Sequence, residues 1–119
     1  MDNMQPVISE DQHGNKRWYV GDSLHRIDGP AVVWVDGRHD WYLNGMRHRT
    51  DGPALVFPLG GSEWYVFNER HRTDGHAVEF SSGSKEWWLH NVFYTLDQWL
   101  DRTPGLTDEE KVMYKLQYG

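Results

Sequence analysis

The chain has 119 residues with a formal net charge of −6, seven tryptophans and no cysteine. This length suits one small domain with a modest core, and the lack of cysteine excludes a disulfide framework and thiolate chemistry. The negative charge argues against nucleic-acid binding, and no apolar run is long enough to cross a membrane. Residues 1–6 lack the basic and apolar regions of a secretory signal, so we expect a cytoplasmic protein without membrane insertion.

One spacing runs through most of the chain. Four tryptophans recur every 23 residues, and so does a heptad of the form His-Arg-x-Asp-Gly-(Pro/His)-Ala that begins at His25, His48 and His71. A fixed period is the signature of a repeat protein, in which recurring residues solve the same packing problem in each unit. We therefore assign a structural role to the recurring side chains: Trp18, Trp41, Trp64, Trp87, His25, Arg26, Asp28, His48, Arg49, Asp51, His71, Arg72 and Asp74.

Each repeat predicts a β-hairpin followed by a second tight turn. In the second unit the β-rich runs 30–35 and 38–43 flank Asp36-Gly37, where glycine tolerates the positive φ of a hairpin turn. Asn44-Gly45 then indicates another tight turn, and the segment 51–53 (Asp-Gly-Pro) indicates a bend. The repeats therefore predict a continuous antiparallel meander of about eight strands, spaced ~4.8 Å apart in a twisted ribbon about 40 Å long.

Side-chain alternation assigns the two faces of this ribbon. A two-residue turn at 36–37 places Val32 opposite Trp41 and Trp34 opposite His39, and partners across an antiparallel pair share a face. The same register in each unit predicts a dry core face with one recurring apolar group: Val32, Trp34, Trp41, Leu43, Leu55, Phe57, Trp64, Val66, Val78, Phe80, Trp87 and Leu89. The opposite face carries a recurring aromatic and acidic group: Tyr19, Tyr42, Tyr65, Trp88, Asp40, Glu63 and Glu86.

Both ends of the ribbon depart from the repeat. Residues 9–12 are polar where the other units are apolar, as expected of a terminal repeat that faces water. Near the C-terminus, two Thr-x-x-Gln/Glu segments that begin at Thr95 and Thr107 are capping-box patterns, which predict helices at 96–102 and 108–117. The apolar helix residues are expected to cover the open edge or the Trp face of the ribbon: Trp99, Leu100, Val112, Met113 and Leu116.

These elements define the expected fold class and domain organisation. We predict a mainly β protein, an elongated single-layer antiparallel β-meander of about four 23-residue hairpin repeats, capped by one or two C-terminal α-helices. Residues 1–94 form the repeat ribbon and residues 95–119 the helical cap, within one structural domain.

The second repeat unit resembles a known family. Its segment Trp41-Tyr42-Leu43-Asn44-Gly45-Met46-Arg47-His48 resembles the membrane occupation and recognition nexus (MORN) repeat, and the heptad resembles a variant found in small proteins of tailed bacteriophages and large DNA viruses. The resemblance covers about residues 7–94 and implies a repeat scaffold that holds other proteins, often as a dimer. Arginine follows each repeat histidine where the family usually has glycine, so the phospholipid binding reputed for the family is not carried over.

The recurring histidines and aspartates invite a catalytic or metal-binding interpretation. His and Asp can share proton transfer, but a catalytic centre is needed once, whereas these residues recur in three units. Equivalent histidines lie about 10 Å apart in the predicted ribbon, too far to converge on one zinc ion. We therefore predict Arg–Asp pairs or backbone hydrogen bonds at each bend, and no enzyme activity, metal or cofactor.

The aromatic and acidic face is the predicted partner-binding face. Aromatic side chains mark interface hot spots, and carboxylates steer a partner with a basic surface. The alternative is an ordinary solvated face. The leading hypothesis is a non-enzymatic, cytoplasmic protein-binding module, and the resemblance makes the specific hypothesis a phage-encoded inhibitor of a host factor, acting in the host cytoplasm.

Two other functions are compatible with the sequence. The stacked aromatics are similar to choline-binding repeats, whose hairpins form cages for a quaternary ammonium, so a nucleotide or quaternary amine is one alternative ligand. The other alternative is a structural component of a viral assembly, in which the exposed first strand pairs with a neighbour to form a homo-oligomer.

Overall fold

The computed structural model describes residues 5–119 and shows an elongated molecule of 48 × 34 × 20 Å. It consists of short strands followed by two helices. The strands in this range are β1 (Val7–Glu10), β2 (Lys16–Val20), β3 (Ser23–Leu24), β4 (Val32–Val33), β5 (His39–Asp40), β6 (Tyr42–Leu43), β7 (Met46–Arg47), β8 (Leu55–Val56), β9 (Ser62–Glu63), β10 (Tyr65–Val66), β11 (Glu69–Arg70), β12 (Val78–Glu79), β13 (Lys85–Leu89) and β14 (Val92–Tyr94). The helices are α1 (Leu96–Arg102) and α2 (Asp108–Tyr118).

Most strands belong to one antiparallel sheet that follows the chain. Its order is β1-β2-β4-β5-β8-β9-β12-β13-β14, and β3 also pairs with β2. The pairs β6–β7 and β10–β11 form separate two-stranded hairpins. The predicted mainly β, antiparallel meander with C-terminal helices is therefore confirmed, although its strands are shorter and more numerous than the sequence suggested.

The repeat tryptophans explain why the strands are interrupted. The backbone N–H of Trp41 donates to the carbonyl of Ala54 in the long sheet at 2.7 Å, whereas its own carbonyl accepts from the N–H of His48 at 3.2 Å. Trp18 and Trp64 divide their backbone hydrogen bonds in the same way. Each of these tryptophans therefore stands where the chain leaves the long sheet and enters the next turn.

The hairpin loops are one residue longer than predicted. In the second unit Val33 pairs with His39, and the N–H of Trp34 donates to the carbonyl of Arg38, so the loop contains residues 35–37. Gly37 has a φ of 100°, the left-handed conformation that closes a three-residue hairpin loop. Glycine occupies the same position in all four units, with φ between 90° and 100°.

This one-residue shift changes the face that each apolar residue occupies. Val32 lies opposite Asp40 instead of Trp41, and the equivalent pairs recur in the next two units. The prediction of a dry Trp face is wrong for the first three units, because Trp18, Trp41 and Trp64 are only partly buried. Most of the buried residues of the central ribbon are instead small or aliphatic: Ala31, Val32, Ala54, Leu55, Ala77 and Val78. Asp40 and Tyr65 are buried with them.

The helices close the C-terminal end of the ribbon. Both predicted capping boxes are present, and the predicted helix bounds are confirmed to within one residue. Trp99 and Leu100 of α1 are buried together with Trp87, the last tryptophan of the repeat series. Within residues 5–119, no helix has the length and apolar character needed to cross a membrane.

The orientation of α2 differs from the prediction. Val112, Met113 and Leu116 are exposed and do not cover the ribbon. Tyr114 and Tyr118 take that position, with ring centroids 6.0 and 5.3 Å from that of Trp87. The aromatic cluster around Trp87 therefore binds the tyrosine side of the helix.

Candidate functional site

An arginine clamp occupies each repeat heptad. In the second unit, Nε of Arg49 donates to Oδ1 of Asp51 at 2.9 Å and Nη1 donates to the carbonyl of Pro53 at 3.1 Å. The guanidinium carbon of Arg49 lies 3.8 Å from the ring centroid of Trp41, within cation–π distance. A Cβ added at Gly52 would lie 2.7 Å from the same carbon. The guanidinium therefore fits between the indole ring and a position that only glycine allows.

The other two heptads repeat this geometry. Arg26 and Arg72 pair with Asp28 and Asp74 at 3.1 and 2.7 Å. Their guanidinium carbons lie 4.0 and 3.9 Å from the rings of Trp18 and Trp64. Since a guanidinium already covers one face of each ring, that face is closed to a ligand cation.

The clamp also separates the histidine of each heptad from its aspartate. Asp51 bonds Arg49, which lowers its pKa, whereas His48 contacts the next turn through Nδ1. The heptad therefore holds no His–Asp pair for proton transfer. In the part of the chain from residue 5 onward, no three His, Asp or Glu side chains are grouped to hold a metal ion.

A second recurring contact joins each repeat to the next. The backbone N–H of Phe67 donates to Nδ1 of His48 at 3.2 Å, and the two rings stack 4.0 Å apart. Nδ1 of His71 accepts a hydrogen bond from the backbone N–H of His90 at 3.0 Å, and the two ring centroids are 4.1 Å apart. An Nδ1 atom that accepts carries no proton, so these contacts require neutral histidines at positions 48 and 71. They also hold Phe67 and His90 at positive φ of 43° and 46°.

We expect the free energy of unfolding to fall as the pH drops below about 6.5, the ordinary histidine pKa. Burial lowers the pKa of His48, His71 and His76, and the charge of His90 adds to this effect at His71. When the folded pKa is below the unfolded one, the unfolded chain binds more protons between the two values. Stability is therefore complete above the unfolded pKa and is lost as the pH falls toward the folded one. Thermal denaturation at a series of pH values measures this slope.

A matched pair of variants separates the contribution of His48 and His71 to this pH dependence from that of other groups. In His48→Asn/His71→Asn, the side-chain oxygen lies near the position of Nδ1 and still accepts a hydrogen bond, but it does not titrate. We expect this variant to have a shallower pH slope, whereas His13→Asn, at an exposed loop position, keeps the wild-type slope. An unchanged slope in the double variant would show that another group is responsible.

The structure brings the predicted aromatic and acidic residues to one face, but two of its three carboxylates pair with arginines. Asp40 is buried, and both of its oxygens accept from Arg38, at 2.8 and 3.1 Å. Glu63 accepts from the Tyr65 hydroxyl at 2.9 Å and from Arg70 at 3.2 Å.

The remaining predicted residues of this face are partly exposed. The Nε1 of Trp88 donates to Glu86 at 3.1 Å, and Tyr19 lies in β2 opposite Leu24. Tyr65 itself is buried, and burial raises its pKa. The predicted acidic strip with aromatic anchors is therefore corrected: Asp40 and Tyr65 belong to the interior, and arginines pair with Asp40 and Glu63 but not with Glu86.

Two arginines that the sequence reasoning missed complete the face. Nε of Arg47 donates to the hydroxyl of Tyr42 at 3.2 Å, and its guanidinium carbon lies 5.5 Å from the ring of Tyr65. The guanidinium carbon of Arg70 lies 5.8 Å from the ring centroid of Tyr65 and 4.9 Å from that of Trp88. The signal was present, since Arg47 and Arg70 are 23 residues apart and pair across the strands with Tyr42 and Tyr65.

The next position in this series is Phe93. It pairs with Trp88 across β13 and β14, their ring centroids are 5.5 Å apart, and the side chain is 55% exposed. The partly exposed aromatic and arginine side chains of this series form what we call the aromatic–guanidinium face: Tyr42, Arg47, Arg70, Trp88 and Phe93.

Comparisons with known proteins do not identify a family for this chain. No protein-family model, no curated protein and no solved structure matches it. The geometry of the described residues is therefore the basis for assigning a function.

Proposed function

We propose that this protein is a non-enzymatic protein-binding module whose binding surface is the aromatic–guanidinium face. The observation that carries the proposal is the row of alternating aromatic rings and guanidinium groups along one side of an elongated ribbon. Trp, Tyr and Arg are the residues most enriched in interface hot spots. Their mutual contacts already restrict the side chains, which lowers the conformational entropy lost on binding.

The repeat supports a more specific proposal about the type of scaffold and its role. The 23-residue spacing and the tight turns support a MORN-like scaffold of the heptad variant described above. From that resemblance we propose a phage-encoded protein that binds and inhibits a host factor in the host cytoplasm. The pairing of Asp40 and Glu63 with arginines removes the reason to expect a basic partner at this face.

Affinity capture from a bacterial host lysate tests this function. The test variant is Tyr42→Ala/Phe93→Ser, because both side chains reach solvent and their loss leaves the buried Tyr65 in place. The matched control is Val35→Ser/Leu59→Ser, which removes two exposed apolar side chains from the hairpin loops. We expect the test variant to lose a partner that wild type and control both retain, with unchanged circular dichroism. A partner held equally by all three proteins, or no partner held by wild type, would contradict the proposal.

A further inference from the structure

The outer side of α2 is apolar and has no partner among residues 5–119. The helix contacts the rest of the protein through Tyr114 and Tyr118, on the side that faces Trp87. On the other side, Val112, Met113 and Leu116 are 56%, 63% and 77% exposed. Leu116 follows Val112 by four residues and Met113 by three, which places it beside both on one side of the helix. Three adjacent exposed apolar side chains on a helix indicate a surface that another molecule covers.

The charged side chains beside Met113 on this face are acidic, whereas Lys115, one turn from Val112, pairs with Asp97 at 3.4 Å. Two concavities, of about 480 and 520 Å³, lie beside Met113. Every charged side chain that lines them is acidic: Asp74, Asp108, Glu109 and Glu110. Asp74 is paired with Arg72, but the three carboxylates of the helix form no ion pair with any described residue. Acidic residues in the first turn stabilise a helix by themselves, yet that effect does not account for exposed apolar residues beside them.

We propose that the outer face of α2 is a docking surface for a basic amphipathic helix of another protein. The apolar side of such a helix would cover Val112, Met113 and Leu116, and its Lys or Arg side chains would reach the unpaired carboxylates at the start of α2. Methionine suits this role because its flexible side chain adapts to different partners. This proposal goes beyond the aromatic–guanidinium face and does not depend on it.

Charge argues against a second copy of the chain as the occupant. A twofold contact with parallel α2 helices would bring Asp108 and Glu109 of one copy close to the same acidic groups of the other. An antiparallel contact would place them near Lys115, which already pairs with Asp97. Like charges across an interface are unfavourable, whereas a basic segment would neutralise them. The same carboxylates oppose binding to nucleic acid or to an anionic lipid surface.

A peptide titration tests the proposal on the full chain. The probe is a fluorescent synthetic peptide of about 14 residues with Leu and Lys at amphipathic helical spacing, and the control peptide has Glu in place of Lys. We expect anisotropy to show saturable, salt-sensitive binding of the Lys peptide only. Met113→Ser/Leu116→Ser should weaken this binding at least roughly tenfold. The matched variant Val35→Ser/Leu59→Ser, which also removes two exposed apolar side chains, should bind like wild type.

A second pair of variants tests the charges. Asp108→Asn/Glu109→Gln should lower the affinity and flatten its salt dependence, whereas Glu10→Gln/Asp22→Asn makes the same change in net charge at exposed positions of the ribbon and should have little effect. Equal binding of both peptides, or equal binding by the Met113→Ser/Leu116→Ser variant, would overturn the proposal. Sedimentation that shows a wild-type dimer lost in that variant would also overturn it, in favour of a second copy. Each result is independent of whether the ribbon face captures a partner.

Discussion

Replacement of Trp99 with alanine is expected to lower the free energy of unfolding by about 3–5 kcal/mol, the usual cost of removing a large buried aromatic side chain. Trp99 is 0% exposed, and its ring centroid lies 4.7 Å from that of Trp87 and 5.2 Å from that of Tyr114. Its Nε1 also donates to the carbonyl of Arg72 at 3.0 Å. Trp99, in α1, therefore contacts both α2 and the third heptad. Chemical denaturation measures its contribution to the free energy of unfolding.

Two further variants separate the hydrogen bond of Trp99 from its apolar contacts and provide an exposed control. Trp99→Phe keeps most of the apolar contact but removes the Nε1 donor, so we expect an intermediate loss of about 1–3 kcal/mol from the unpaired carbonyl of Arg72 and the smaller ring. Leu116→Ala, at an exposed position of α2, should change stability by less than about 0.5 kcal/mol. A loss in Trp99→Ala no larger than that of Leu116→Ala would mean that the helices contribute little to the stability of the ribbon.

The repeat and its turns were readable from the sequence because they depend on local chemistry. Gly at the hairpin loops, Asn44-Gly45 and the capping box at Thr95 each satisfy a backbone requirement within a few residues. The loop length was not readable, because Gly37 suits either a two-residue turn or the last position of a three-residue loop. That single ambiguity moved Val32 and its equivalents to the opposite face.

The candidate binding face was only partly predictable, for a different reason. The 23-residue period located Tyr42 and Trp88, but the charge of the face depends on which arginine reaches which carboxylate. Arg38 reaches Asp40 from two residues away, whereas Arg70 reaches Glu63 from the far strand of a hairpin. The 23-residue period does not reveal these side-chain pairings.

The rotation of α2 also depends on tertiary contacts. The capping box determines where this helix begins, but it does not determine which side faces the ribbon. Val112 and Leu116 are the more apolar candidates for burial, yet Tyr114 and Tyr118 complete an aromatic cluster with Trp87 and Trp99. The gain from edge-to-face aromatic contacts decides the orientation, and hydrophobicity alone does not reveal it.

The arginine clamp gives the second large expected effect. Arg49→Ala should destabilise the protein by about 2 kcal/mol, because it leaves the carbonyl of Pro53 without its donor and uncovers the ring of Trp41. The ion pair with Asp51 adds little, since that carboxylate is exposed. We expect Arg49→Lys to recover less than half of the loss, because one ammonium group cannot lie on the indole and reach the carbonyl with the same planar geometry.

Gly52 provides the test that distinguishes this clamp from a general effect of charge. Gly52→Ala should destabilise the wild type by about 1–2 kcal/mol, no more than the loss of the clamp itself, because the new Cβ meets the guanidinium of Arg49 and forces it off the ring. Without the guanidinium the same methyl group meets no such obstacle, so in an Arg49→Ala background the substitution should cost much less. Chemical denaturation of the four proteins of this double-mutant cycle measures the coupling. Equal costs in the two backgrounds would show that Gly52 serves the backbone of the bend and not the arginine, and the heptad would then require a different explanation.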